Sequence, residues 1–203
     1  METKTENTHQ RSQDEAVLIS LILDGQTNLF RQLASQYAER VLQLVSRMIS
    51  SPEDAEEVTQ DVLLAAFQSL SRFDARQASF PTWLSAIAYR TALKHLRNKQ
   101  KVLYVETDQT WLNTVPDDEA DALLNDSCPD RLVFLDQAVS QLRPDDQMLL
   151  SFYYYDDKPI REISFITGRT EGYLRSRLQW IRKRMALTIK NLEADEKEYS
   201  TPG

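Results

Sequence analysis

The placement of proline constrains this chain more than any other feature. Four of its seven prolines stand where a helix can begin. In "SPEDAEE", Ser51 is an N-cap, Pro52 takes the first helical position, and acids follow in the first turn. Each residue answers an end effect. The serine oxygen accepts from an orphan N–H, proline has no N–H to leave unpaired, and carboxylates face the positive end of the helix dipole. "SFPTW", "LRPDDQ" and "DKPIRE" place Pro81, Pro144 and Pro159 in the same way. Helices are predicted over 14–24, 27–49, 52–71, 81–100, 131–141, 145–155, 160–166 and 170–193. No segment sustains apolar/polar alternation with strand chemistry, although "KVLYVET" (101–107) could be extended. The predicted fold class is all-α.

Residues 102–130 break the helical pattern. They carry eight acids, from Glu106 to Asp130, and no Lys or Arg, and Pro116 and Pro129 interrupt any helix. This stretch reads as an acidic linker between an N-terminal helical domain, 14–101, and a smaller C-terminal helix-turn-helix domain, 131–193. The ends, 1–13 and 194–203, read as disordered tails.

Several functional classes find no support. The chain has four glycines, so there is no Gly-rich loop to cradle a phosphate and no nucleophile elbow. Its paired carboxylates lie on polar helical faces. Two histidines and one cysteine argue against a structural zinc site. The expectation is a non-enzyme with no catalytic residue, metal, cofactor or small-molecule substrate. "AVLISLIL" (16–23) is too short to span a bilayer, and neither a transmembrane helix nor a signal peptide is read. The lone Cys128 forms no internal disulfide, which fits a cytoplasmic protein.

The formal net charge of −7 conceals a segregation. Residues 81–101 hold Arg90, Lys94, Arg97, Lys99 and Lys101 and no acid, whereas 161–190 hold eight bases against Glu162 and Glu171. Residues 51–80 carry six acids against Arg72 and Arg76. A polyanion feels the local patch, because charge is screened within about 8 Å at physiological salt. Two basic islands in an acidic chain are therefore compatible with DNA binding.

The C-terminal island, "IREISFITGRTEGYLRSRLQWIRKRM", has helix-turn-helix organisation. Ile160, Ile163 and Ile166 form a short apolar stripe, Gly168 permits a left-handed turn, and Thr170 caps the second helix. Leu174, Leu178, Ile181 and Met185 make its buried stripe. Glu171, Arg175, Gln179 and Arg182 form one flank, and Arg177 and Arg184 the other. Such a helix presents its first residues to base edges while flanking cations hold phosphates.

In the N-terminal island Arg90, Lys94, Arg97 and Lys101 recur at i, i+4, i+7 and i+11, with Trp83 one heptad before Arg90. A basic seam headed by an aromatic ring suits single-stranded or melted nucleic acid. For Trp83 a core position and a base-stacking position stand side by side. The preceding acidic helix is amphipathic, and Leu64 falls on its polar side beside Gln60 and Asp61, a hint of a partner surface.

Three strings in order, "SPEDAEEVTQDVLLAAF", "FDARQASFPTWLSAIAYRTALKHLR" and, beyond the acidic linker, "LDQAVSQLRPDDQMLLSFYYYDDKPIREISFITGRTEGYLRSRLQWIRKRM", resemble a bacterial RNA polymerase sigma factor of the extracytoplasmic-function group, in the sigma-70 family. The resemblance spans about residues 14–190. It implies that Asp54, Glu57, Gln60, Asp61, Leu63 and Leu64 dock on core RNA polymerase. It implies that Phe73–Phe80 captures a flipped base of the minus-ten element. Arg76, Ser79 and Trp83 would contact that region, and Arg90, Lys94, Arg97 and Lys101 would hold the melted strand. The minus-thirty-five element of promoter DNA would be met by Arg169, Thr170, Glu171, Arg175, Ser176 and Gln179, with Arg177 and Arg182 on phosphates. The linker would run near the polymerase's active-site cleft. A further implied partner is an anti-sigma factor, soluble or membrane-bound. The sequence departs from the family pattern at Arg90 and Lys94, where Asn and Asp are usual, at Arg169, usually apolar, and at Tyr173, usually Thr. The competing reading is a two-domain helix-turn-helix regulator with a helical sensor domain; the second basic helix, behind an acidic docking helix, argues against it.

Overall fold

The computed structural model describes residues 14–99 and 129–199. Lys101, the run 101–107, the ends 1–13 and 200–203, and all of the predicted linker but its last two residues lie outside the described residues. The chain divides into two compact units, Met1–Lys101 with Ser164–Gly168, and Val102–Ile163 with Arg169–Gly203. Every regular element among the described residues is helical.

The first unit has four helices. Helix α1 covers residues 14–23. It ends at Gly25, whose φ of 105° lets Gly25 N–H donate to Ile22 and Gln26 N–H donate to Leu21. That left-handed closure satisfies the last carbonyls of the helix. A 3-10 turn, Thr27–Leu29, leads into α2, Phe30–Ser46. Helix α3 is Pro52–Ser69 and α4 is Phe80–Lys99. The proline logic holds at α3: Ser51 is extended, its Oγ accepts from Asp54 N–H at 3.2 Å, and Pro52 opens the helix. At α4 Phe80 precedes Pro81 within the first turn.

Helices α2, α3 and α4 each pack on the other two. Leu33, Val41 and Val45 of α2 meet the core with Val58, Val62 and Ala66 of α3 and Leu84, Ala88 and Ala92 of α4, all buried. Each large apolar side chain removed from water contributes about 1.5–3 kcal/mol. The alanines let the helices approach closely. Ile19 and Ile22 of α1 are also buried, and Tyr37 of α2 donates a hydrogen bond to Glu15.

Beyond the predicted linker, α5 is Pro129–Ser140, α6 is Pro144–Leu150, α7 is Ile160–Thr167 and α8 is Glu171–Tyr199. Helix α8 packs on α5 and α6. Its predicted stripe, Leu174, Leu178, Ile181 and Met185, is buried and continues through Ile189.

The helix predicted over 27–49 is the 3-10 turn followed by α2, which ends at Ser46, and three further boundaries differ from the sequence reading. Pro129, expected in the linker, opens α5. The single helix expected over 145–155 is α6 followed by a π turn, Ser151–Tyr155, in which Asp156 N–H reaches back to Ser151 O at 2.9 Å. Helix α8 runs on to Tyr199, so residues 194–199, expected in a disordered tail, are helical.

Candidate nucleic-acid interfaces

The loop between α3 and α4 is built around aromatic rings. Phe73, Phe80 and Trp83 lie with centroids 5.4–5.7 Å apart, and Tyr37 meets Phe80 edge-on at 5.4 Å. Phe80 is buried and Trp83 half-buried, so Trp83 is a member of this cluster with part of its surface outward. Ser79 Oγ accepts from Thr82 N–H at 3.4 Å and donates to Thr82 Oγ1, fixing the start of α4. Arg76 is held by Asp74: Nε donates to Oδ1 at 2.9 Å and Nη2 to Oδ2 at 3.0 Å. The Arg76 side chain, with help from its backbone N–H, keeps the Asp74 carboxyl well below the usual carboxylate range.

Along α4 the predicted stripe is exposed at Arg90, Lys94 and Arg97. Lys99 belongs elsewhere: its ammonium donates to Asp54 Oδ2 of α3. His95 Nε2 stands 3.9 Å from the same oxygen. Lys99 lowers the pKa of Asp54. Asp54 was expected on the docking face; it is instead half-buried and engaged with α4.

The other expected docking residues keep an outward face. Glu57, Gln60 and Asp61 are exposed, Leu63 is half-buried and Leu64 is 54% exposed. Phe67 extends this apolar edge at 38% exposure, with its ring 5.0 Å from that of Phe30. Sequence reading missed Phe67, although it falls three residues after Leu64 on the same face.

Gly168, at φ 71°, turns the chain between α7 and α8, and its N–H donates to Ser164 O at 2.9 Å. Thr170 Oγ1 accepts from Tyr173 N–H at 3.3 Å, the expected cap of α8. Glu171, Arg175, Ser176 and Gln179 are exposed at the start of α8. Glu171 and Arg175 pair at 3.0 Å, one turn apart. Arg169 is exposed and lies 5.3 Å over the Tyr173 ring, while Arg182 is half-buried.

Arg177 departs from its expected place on phosphates. It forks onto Asp146 of α6 with both contacts at 2.7 Å. The Arg177 side chain is 16% exposed and that of Asp146 4%. Its guanidinium also covers Trp180 at 4.0 Å from the ring centroid. Two motifs recognisable by spacing could not have announced this pair, because Asp146 is 31 residues away in the chain.

An exposed helix after a glycine turn, and a second exposed basic helix at Phe80–Lys99, are surfaces of the kind a DNA-binding protein presents. Comparison with known proteins narrows the class. Residues 33–102 match the model of Sigma-70 region 2, and residues 135–185 match that of Sigma-70 region 4. Together the two matches take in more than half of the chain. The chain is 22% identical to the ECF RNA polymerase sigma factor SigW of Bacillus subtilis over 86% of its own length and 96% of that protein. It is 27% identical to the ECF RNA polymerase sigma-E factor of Escherichia coli, over 81% and 88% of the two chains. Among solved structures it is similar in fold to the sigma factor RpoE from Bartonella quintana, in complex with the anti-sigma factor NepR. There the TM-score is 0.53 at 16% identity, over 79% of this chain and 96% of that one. A second, CnrH in complex with the cytosolic domain of CnrY, has a TM-score of 0.54 at 18% identity, over 88% and 97%. The chain belongs to the sigma-70 family, in its extracytoplasmic-function (ECF) group. It is a sigma factor, directing RNA polymerase to promoters.

Proposed function

We propose a division of labour among the surfaces of this sigma factor. The outward face of α3, with Glu57, Gln60, Asp61 and Leu64, docks on core RNA polymerase, and Phe67 extends its apolar edge. The loop 73–80 receives a flipped base of the minus-ten element, and Arg90, Lys94 and Arg97 of α4, with Lys101, hold the melted strand. Helix α8 reads the minus-thirty-five element through Glu171, Arg175, Ser176 and Gln179, with Arg169 and Arg182 on phosphates. Asp54 and Arg177 serve the protein's own architecture.

The observation that carries this reading is the separation of charge by element. An acidic helix with exposed leucine and phenylalanine precedes one exposed basic helix, and a second basic helix lies in the other unit. The solved structures similar in fold include a sigma factor in complex with an anti-sigma factor. By the same likeness, this chain is held inactive in the bacterial cytoplasm by an anti-sigma factor until a signal releases it.

Run-off transcription tests the proposal. Core polymerase with this protein should initiate at defined sites in a genomic library where core alone does not. Equal initiation with and without the protein would remove the reading. Replacing both Gln60 and Asp61 by Ala should weaken capture of core polymerase; unchanged capture would remove the docking face.

A further inference from the structure

The loop 73–80 contains a charge arrangement whose consequence differs from that of the α4 stripe. Asp74 gathers four donors: Arg76 N–H at 3.0 Å, Arg76 Nε at 2.9 Å, Arg76 Nη2 at 3.0 Å and Gln77 Nε2 at 3.3 Å. Gln77 N–H also closes a turn on Asp74 O at 3.0 Å. Phe73, the preceding residue, is fixed in the aromatic cluster with Phe80 and Trp83. Asp74 is 27% exposed and Arg76 90%. So exposed a pair contributes little to folding stability. Its consequence is geometric: a flexible cation becomes a fixed plane.

We propose that Asp74 is a positioning residue that makes Arg76 a reader of an unpaired base, instead of a clamp on phosphate. This rests on the assignment of the loop 73–80 to the minus-ten element. Two physical points carry it. First, the pair is charge-neutral, and the Asp74 carboxylate lies beside any phosphate that would approach Arg76. Phosphate binding draws its strength from net positive charge and counterion release. The exposed cations Lys94 and Arg97 suit that role; Arg76 does not. Second, a guanidinium has five N–H donors, of which the fork on Asp74 uses two. The outer Nη1/Nη2 edge remains, presenting two parallel donors, and the planar face is open for stacking. That edge matches a base with two adjacent acceptors, as guanine offers at O6 and N7. Single-stranded nucleic acid is read in this manner, through splayed bases stacked on planar groups and bonded along an edge.

The test uses the reconstituted holoenzyme and bubble templates whose melted minus-ten strand carries each of the four bases at each position. Affinity is measured over a range of KCl concentrations. The wild type should prefer guanine, or another base with paired acceptors, at one position. Arg76→Ala should flatten that preference by about tenfold and leave the salt slope unchanged. Asp74→Asn keeps the side chain's size but frees the Arg76 charge, so the preference should weaken while the salt slope steepens by about 0.7. Arg76→Lys, which keeps the charge pair with Asp74 but has no fork, should lose the preference and leave the salt slope unchanged. The inference is overturned if Arg76→Ala weakens all four bases equally and lowers the slope by about 0.7, the signature of one phosphate. It is equally overturned if Arg76→Ala changes nothing. A wild-type holoenzyme with no promoter preference would remove the assignment of the loop itself, which the same templates read separately.

Discussion

Arg177 of α8 and Asp146 of α6 are locked by two parallel hydrogen bonds of 2.7 Å, with both side chains largely out of water. Burial pulls the Arg177 pKa down, but the Asp146 carboxylate outweighs it and leaves the value raised. The pair ties the helix that carries Arg175 and Gln179 to the first turn of α6. A cation expected to face DNA thus sets the orientation of the neighbours proposed to read it.

Breaking one side of such a pair strands a buried charge. Arg177→Ala should destabilise the second unit by on the order of 3 kcal/mol, and Asp146→Ala should cost a similar amount. Removing both should cost less than the sum, because no lone charge is left. Urea unfolding of the full chain, followed by hydrogen exchange in α8, reads all three variants. If Arg177 instead held a phosphate, Asp146→Ala would release it and tighten DNA binding, an outcome that would overturn the structural assignment.

The same substitution should act with opposite sign at two nearby glycines. Gly168 has a φ of 71°, and a Cβ there meets nothing within 4 Å, so the cost of Gly168→Ala is purely one of backbone conformation. About 1–2 kcal/mol is expected. Gly172 lies inside the first turn of α8, also with open space around a Cβ. Gly172→Ala should be neutral or stabilising by up to about 1 kcal/mol. Thermal unfolding of the two variants beside wild type checks the sign of each.

How much of this was legible in the sequence depends on distance along the chain. The capped start at Ser51, the turn at Gly168, the cap at Thr170 and the buried stripe from Leu174 to Met185 are local, and each was readable from a few neighbours. The helix starts at Pro52 and Pro144 were equally plain. Asp146 on Arg177 and Lys99 on Asp54 join residues 31 and 45 apart. Periodicity tells which flank a side chain leaves its helix on, but not what stands opposite. Both residues were accordingly assigned to outside partners. The π turn at Ser151–Tyr155 was missed for a related reason: its three tyrosines are compatible with an ordinary helix, and the extra residue shows only in the backbone bonds. Asp74 was overlooked as a site residue because a lone acid in a loop carries no periodic signal.

The docking face proposed for α3 predicts a separation of binding from stability. Gln60, Asp61 and Leu64 are exposed, so replacing them should change folding by no more than about 0.5 kcal/mol. Leu64→Asp should nonetheless weaken core polymerase capture by about tenfold or more, since it puts a charge on the apolar part of the face. A melting curve beside a pull-down distinguishes the two effects. A fall in melting temperature matching the loss of capture would show that Leu64 serves the fold.

Asp54 links the start of α3 to the end of α4 through Lys99, and its pH dependence has a definite sign. Lys99 holds the folded pKa below the ordinary 3.8. A depressed carboxylate stabilises the fold above its unfolded pKa, and this contribution is lost as pH falls through the folded value. The Asp54 ion pair should therefore be intact from pH 8 to pH 5 and fade only below about 3.8. Urea midpoints of wild type and Asp54→Asn should differ at neutral pH and converge in acid. Curves that stay parallel down to pH 3 would mean that the pair adds nothing.

Arg175 offers the sharpest test of the second proposed DNA surface. It is exposed on the first turns of α8 and braced by Glu171 one turn earlier at 3.0 Å. Glu171 neutralises part of its charge, so Arg175 is poorly suited to a phosphate and well suited to a base edge in the major groove. Arg175→Ala should lower promoter use by about 1–3 kcal/mol at some minus-thirty-five sequences and little at others. Glu171→Ala should relax the same position without lowering affinity across all sequences, because the unbraced arginine keeps its charge and loses its fixed direction. Holoenzyme binding to a library randomised over the minus-thirty-five element measures both. A uniform loss in Arg175→Ala, with a shallower salt slope, would move the residue to the phosphates. The base-reading role of α8 would then fall to Ser176 and Gln179.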